Sequence, residues 1–496
     1  MTKLLLADKE NAKQLSHLFA IQKIRRIYRG IYTDNLTDAL EEIVIRYWTQ
    51  IVSYVVPKAI LSYRSAFDLK PLPYKNNLHI VFLTSSYAKE IQIHGLILKI
   101  YKGSPDSYYE QMLPEIAKSN LPRTLLENLT VVKSSVLKGV KTIGKAGVEK
   151  YIARELQFHG ENRLNQIREE AKRMVVDLHF EKEYKQLSQM ISALLSTKDI
   201  ASLESSYAIA VAKKEPFDDK RLRVFEELSL YLKNSSFIER PYPFSMTSFR
   251  NLSFFESYFS NFIEGTEFII DEAEEIVFRG TEINNRHADS HDVLANFYLS
   301  NDFLEMGNTP KDAVDLLTLL QARHAYLMKE RPEKNPGKFK DKPNKAGNTF
   351  FVAPEDVIGT LTKGFEIYSL LNEGLPKAIF MHYLISEVHP FDDGNGRLSR
   401  IMMNAELVKS GLFKIIVPTV CRENYLNGLR LVTRGQYFST YCKVIDQLQA
   451  YTASVPWAQY GDARSKIELD CANLTADEGL PFFNRVLRGL DFSQFS

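Results

Sequence analysis

The sequence predicts a mainly α protein: a helical core carrying a β-hairpin, preceded by a helical connector and an α/β N-terminal module. Three observations carry this reading. Apolar residues recur at helical spacing from about 131 to 460, strand-like runs are confined to about 1–130, and one polar stretch interrupts the helices at 331–356. In the first segment, NNLHIVFLTS (76–85) and EIQIHGLILKIYKG (90–103) combine β-branched residues with partial alternation and flanking turn formers, so they are expected as strands. IQKIRRIYRGIYTDN (21–35) reads as a basic hairpin with tyrosines, bringing together Lys23, Arg25, Arg26 and Arg29 as candidate phosphate contacts. A solvated charged face explains it slightly better.

From 131 to 245 the pattern is a helical connector. In RLNQIREEAKRMVVDL, Leu164, Ile167, Ala171, Met174, Val175 and Leu178 fall on one helical face, and nothing suggests chemistry. ERPYPFSMTS (239–248) is a proline-bearing boundary. Residues 246–460 form the next domain, with RPEKNPGKFKDKPNKAGNTFFVAPED (331–356) as its loop or hairpin. The tail, 461–496, carries no signal.

Composition bounds the function. The 496 residues suggest about three domains, and 45% hydrophobic with 25% charged residues is ordinary for a soluble protein. A net charge of +2 provides no global field for nucleic acid or anionic membrane. Cys421, Cys442 and Cys471 form no CxxC pair, which favours a reducing compartment. MTKLLLADKENAK is not a secretory signal, and YWTQIVSYVVPKAIL is broken by Pro57 and Lys58 before it can span a bilayer. The expectation is a cytoplasmic protein without a membrane partner.

The chemistry concentrates in HPFDDGNGRLSR (389–400). LPKAIFMHYLISEV (375–388) is a helix entering it, with Ala378, Met381, Ile385 and Val388 on one stripe; RLSRIMMNAELVKSGL (397–412) is a helix leaving it. The loop therefore feeds a helix N-terminus, where unpaired N–H groups favour an anion. Gly394 and Gly396 permit close backbone approach, and Arg397 and Arg400 share one helical face as phosphate clamps. Asp392 or Asp393 offers a hard ligand for Mg²⁺, and His389 is the one group here that takes a proton near neutral pH. Base, metal ligand and anion clamp point to nucleotide phosphate chemistry. Neither a P-loop nor a dinucleotide fingerprint is present.

HPFDDGNGRLSR matches HPFx[DE]GNGRxxR, the signature of the Fic family, at every defined position, and His382 with the Val-His-Pro junction resembles the family's lead-in. The resemblance covers roughly 246–460. It implies a mostly helical domain that transfers AMP from Mg-ATP to a hydroxyl side chain of a target protein, the chain itself included among possible targets. Carried over, His389 deprotonates the attacking Ser, Thr or Tyr hydroxyl and Phe391 anchors the loop. Asp393, rather than Asp392, binds Mg²⁺. Gly394, Asn395 and Gly396 line the phosphate cradle, Arg397 assists, and Arg400 holds the γ-phosphate. The family's flap, which aligns the target by strand addition, falls at about 337–354. Tyr425, in RENYLNGL, is similar to a tyrosine that contacts the nucleotide. Thr433-Arg434-Gly435-Gln436 departs from the family's usual asparagine-bearing turn.

Many Fic proteins also carry an inhibitory helix, [ST]xxxE[GN], whose glutamate pairs with the second motif arginine. SNFIEG (260–265), SLLNEG (369–374) and TVCREN (419–424) all match. The first follows a helix-like run at about 252–265, so Ser260 and Glu264 are expected to face Arg400 and make the enzyme self-inhibited. The reverse reaction, AMP removal with Glu264 positioning water, is the enzymatic alternative. RHADSHDV (286–293) offers His287, Asp289, His291 and Asp292 without further ligands at useful spacing, and is better explained as a polar linker and helix N-cap. YRSAF (63–67), RIYRGIYTDN and RTLLENL (123–129) resemble AbiEi-type antitoxins and regulators, which implies a winged-helix-like N-terminal module, a possible DNA partner and a regulator with the Fic core as sensor. A homodimer is compatible with either reading.

Overall fold

The computed structural model describes residues 3–196, 199–347 and 349–495. The chain folds as two compact units, Met1–Lys214 and Glu215–Ser496. The division falls inside the segment that the sequence sets apart as a helical connector.

In the first unit, β1 (Leu4–Leu6), β2 (Arg25–Tyr28) and β3 (Ile31–Thr33) form an antiparallel sheet in the order β1-β3-β2, with the helix Ala12–Ala20 between β1 and β2 in the chain. The β2–β3 hairpin buries Ile27 and Ile31 and leaves Lys23 and Arg26 exposed. Arg25 donates to the Asp38 carbonyl at 2.7 Å and Arg26 to that of Tyr28 at 3.4 Å.

The larger sheet contains β4 (Ile60–Leu61), β5 (Leu72–Pro73), β6 (His79–Ser85), β7 (Lys89–Ile93), β8 (Leu96–Lys102), β9 (Tyr109–Leu113) and β10 (Ile116–Ser119). Its order is β7-β8-β6-β4-β10-β9, with β5 on β6. The run 90–103, expected as one strand, is two: the chain reverses at His94 and Gly95, with φ of 26° and 78°. Positive φ at two successive residues is what a tight hairpin turn needs. Helix α1 (Gly144–Leu178) buries Leu164, Ile167, Ala171 and Met174 as the spacing predicts, while Val175 and Leu178 are only half-buried. Gly160, with φ 74° and ψ −179°, breaks it midway.

The second unit is helical throughout except for one hairpin. Its framework helices are α2 (Asp219–Lys233), α3 (Met246–Ile263), α4 (His287–Asn301), α5 (Ala313–Leu327), α6 (Val357–Tyr368), α7 (Leu375–Val388), α8 (Asn395–Lys409), α9 (Arg422–Gly435) and α10 (Phe438–Ser454). The hairpin pairs β11 (Lys345–Ala346) with β12 (Thr349–Phe350), inside the region expected to form the flap. α7 is the central helix: the predicted stripe is buried, and so are Phe380, Tyr383 and Leu384 on its other faces. A helix apolar all round belongs in a core.

α3 begins earlier than expected because Ser245, after the proline break, makes a capping box with Ser248. RHADSHDV opens α4, with Arg286 at the N-cap position as the N-cap reading expects, and its remaining residues are helical rather than a linker. The unremarkable tail contributes α11 (Ala476–Leu487), whose Phe483 joins Ile467 in the core. Among the described residues, no helix is long and apolar enough to cross a membrane.

Candidate active site

α7 ends at Val388, and His389 follows in the left-handed region with φ 51° and ψ 60°. A residue there turns the chain sharply out of a helix, at some backbone cost when it is not glycine. His389 Nδ1–H donates to the Ser386 carbonyl at 3.2 Å, which leaves Nε2 with its lone pair free. The ring stacks on Phe351 at 3.8 Å and 3° between planes. Burial pushes the imidazole down to about 4; the nearby Lys340 charge acts in the same direction, against the Ser386 hydrogen bond and the charges of Glu264 and Asp393. The ring is therefore neutral, as a base must be.

The rest of the loop is held from within. Phe391 is fully buried and stacks on His324 at 3.8 Å. Asn395 accepts from the Phe391 N–H at 2.9 Å and donates to its carbonyl at 2.8 Å, so its side chain closes the loop instead of lining a cradle. Gly394 has φ 72°, and a Cβ there would meet Met328 Sδ at 2.7 Å. At Gly396 a Cβ would collide with Glu264 Oε1. The space above the α8 N-terminus, suited to an anion, thus holds the carboxylate of Glu264.

Arg400 explains why. Its Nε donates to Ser260 Oγ at 2.9 Å, and its Nη2 donates to the Ser260 carbonyl at 2.9 Å and to Glu264 Oε1 at 2.7 Å. The three inhibitory-helix matches are distinguished here: Glu373 pairs with Lys377 and Glu423 with Arg422, while Glu264 reaches Arg400. Arg400 Nη1 also donates to Tyr425 Oη at 3.5 Å. Tyr425 in turn bonds His382 Nε2, and His382 Nδ1 bonds the Tyr441 hydroxyl. Burial lowers His382 to about 3, so it is neutral; Tyr425 then donates to Nε2, and Nδ1–H donates to Tyr441. Tyr425 lies on the cavity wall with its hydroxyl turned toward this chain of bonds.

Two motif residues are placed differently from a simple clamp. The Arg397 guanidinium is 4% exposed and pairs with Asp292 at 2.6 Å, and Nη2 lies 3.2 Å from Met328 Sδ; it is not on the cavity wall. Asp292 also accepts from Arg331 at 2.9 Å. Asp292→Ala leaves a buried guanidinium without its carboxylate. It is expected to cost about 3–5 kcal/mol, read as a lower urea midpoint at unchanged slope.

Asp393 is 44% exposed; Oδ1 accepts from the Gly394 N–H at 2.7 Å, and Oδ2 lies 3.7 Å from Lys334 Nζ. Asp392 is tied to Asn335 at 2.9 Å. A single accessible carboxylate suits a hard cation whose other ligands are phosphate oxygens and water. Among the described residues, no group of three or more His, Cys, Asp and Glu side chains could hold a metal.

His389, Gly396, Arg400, Glu264 and Tyr425 meet at one cavity of about 360 Å³, roofed by Ala346, Thr349 and Phe351 of the hairpin and walled by α9. A larger cleft of about 790 Å³ lies in the first unit, but its ion pairs, Glu110–Lys118 and Glu155–Arg163, balance in charge. Sequence reasoning missed His324, Lys340 and Phe351, and it named Asp292 only in a candidate metal cluster, not as the partner of Arg397. His324 accepts from the Gly337 N–H and donates to the Asp393 carbonyl, and burial lowers it to about 4. Each comes from a stretch remote in sequence from the motif; Lys340 and Phe351 lie within the expected flap, but nothing local ties any of the four to the motif.

Residues 314–407 match the Fic/DOC family. They form a Fic domain. The protein adenylyltransferase Fic of Drosophila willistoni is 26% identical over 190 residues, which cover 36% of this chain and 38% of that relative. The protein of the same name from Drosophila melanogaster is 25% identical over 190 residues, 36% of this chain and 38% of the relative. The aligned part thus spans well under half of these relatives. Among solved structures, a Fic-1 fragment from C. elegans is 17% identical with a TM-score of 0.36, covering 65–70% of this chain in two forms and 94% of the fragment in the one with that score. A Fic domain containing signaling protein from Bacteroides thetaiotaomicron is 21% identical with a TM-score of 0.33, covering 54% of this chain and 91% of that one. The matched residues include the loop that carries His389, most of α8 and the hairpin; Glu264 and α9 lie outside them.

Proposed function

We propose that the chain is a protein adenylyltransferase that moves AMP from Mg-ATP to a Ser, Thr or Tyr hydroxyl of a protein, restrained by its own Glu264. The observation that carries this reading is the shared cavity in which a neutral His389 faces the α8 N-terminus and Arg400, with Glu264 between them. In the transfer, His389 Nε2 takes the proton as the target oxygen attacks the α-phosphorus. The bond from that phosphorus to the bridging oxygen breaks, and pyrophosphate leaves. The α8 N–H groups and Arg400 bind the phosphates once Glu264 withdraws. Asp393 would hold the Mg²⁺, which neutralises charge on the polyphosphate.

Labelled ATP with lysate, or intact mass of the chain itself, tests the reading directly. A pre-AMPylated target given to the unmodified enzyme separates the reverse reaction. The pH profile is a second test. A base held near 4 is neutral and active above about pH 5 and becomes protonated below, so kcat/KM should stay level from pH 8 to 6 on its acid side. An acid limb centred at 6.5 would contradict the assignment.

A further inference from the structure

The segment that leads into the hairpin is bonded to the catalytic loop through an unusual run of contacts. Lys340 N–H donates to the Pro390 carbonyl at 2.9 Å, and Lys340 Nζ donates to the Val388 carbonyl at 3.3 Å and to Asn344 Oδ1 at 2.6 Å. Asn344 Nδ2 donates to the carbonyls of His389 at 3.3 Å and Phe391 at 2.9 Å. Two residues thereby take the carbonyls of 388, 389, 390 and 391 in succession. These include the last carbonyls of α7, which a helix leaves without partners and where a cation is favoured. The Asn344 carbonyl accepts from Phe351, whose ring covers His389.

Lys340 is 4% exposed, and no ion pair to it is found among the described residues. A buried ammonium without a carboxylate is costly unless its environment needs the charge. Burial lowers it to about 7, Arg221 acting the same way and Asp392 opposing, so it is fully charged in the acid range where His389 titrates. The charged groups that act on His389 are Lys340 from the hairpin stem, Glu264 from the end of α3 and Asp393 from the loop.

We propose that Lys340 and Asn344 are positioning residues for His389: the pair fixes the left-handed backbone that aims the imidazole into the cavity, and the Lys340 ammonium adds a positive charge that acts on that ring. This rests on the adenylyltransferase reading for the role of His389, and adds that the hairpin stem, not the motif alone, sets its geometry and basicity.

The test follows the ¹³C shifts of the His389 ring in the full chain from pH 8 to 4, which requires no turnover. Lys340→Met is expected to raise the His389 midpoint by about one pH unit, the scale of a single nearby charge. Lys340→Arg should restore it. If Lys340→Met does not fold, Lys340→Gln keeps polar contacts to Asn344 and Val388 without the charge and should show the same rise. Asn344→Ala, which keeps the charge, should leave the midpoint within about 0.3 unit. In the Glu264→Gly chain it should lower kcat about tenfold with KM for ATP unchanged. An unmoved midpoint in the folded Met or Gln variant overturns the electrostatic role, and unchanged kcat in Asn344→Ala overturns the clamp. A shifted midpoint with no AMP transfer from any chain overturns the functional reading alone.

Discussion

Glu264→Gly is expected to raise AMP transfer to protein at least tenfold. Glu264 pairs with Arg400 at 2.7 Å and occupies the space above Gly396, so the carboxylate takes both the donor and the volume that a terminal phosphate needs. Like charges about 4 Å apart repel by about 4 kcal/mol at an effective dielectric near 20, and each 1.4 kcal/mol is a factor of ten in rate. Even heavily screened, this repulsion exceeds one decade. The fold should tolerate the change, because Glu264 is the capping residue after α3 and not an interior one. Glu264→Gln should fall between the two, since an amide keeps a contact to Arg400 but loses the repulsion. No added AMP mass on the Glu264→Gly chain or on any protein of several lysates would sink the proposal.

His389→Ala, placed in the Glu264→Gly chain, is expected to lower transfer by about 10²–10⁴, the range for loss of a positioned general base. Binding of ATP should persist, because the phosphate site is built from the α8 N-terminus and Arg400. Hydrolysis to free AMP and transfer to protein should fall together, since both need a proton taken from the attacking oxygen. Transfer retained within threefold would remove His389 from the chemistry. Measuring ATP binding alongside separates a lost base from a collapsed cavity; the second is a real danger where the ring packs on Phe351.

Much of the candidate site was legible because its chemistry is contiguous. In HPFDDGNGRLSR, base, glycines and arginines are neighbours in the chain, and a loop running into a helix has only one way to present its N–H groups. The roles of individual residues were less so. Asn395 looks like a cradle residue but folds back on Phe391, and Arg397 looks like a clamp but is taken by Asp292. The strand pair 89–93 and 96–102 was read as one because its turn, His94-Gly95, lacks a strong turn dipeptide.

By itself, then, the sequence determined the helical class, the two core helices around the motif and the loop between them that carries His389 and leads to Arg400, all of which depend on residues within a few turns of one another. The tertiary structure decided what depends on distance. Three segments match the inhibitory pattern; the helix-like run before SNFIEG singles out Glu264 as an expectation, and packing brings it, 136 residues away in the chain, against Arg400. Likewise, no periodicity marks Lys340 and Asn344. Their meaning arises when the hairpin stem meets the end of α7 and finds carbonyls that the helix cannot satisfy.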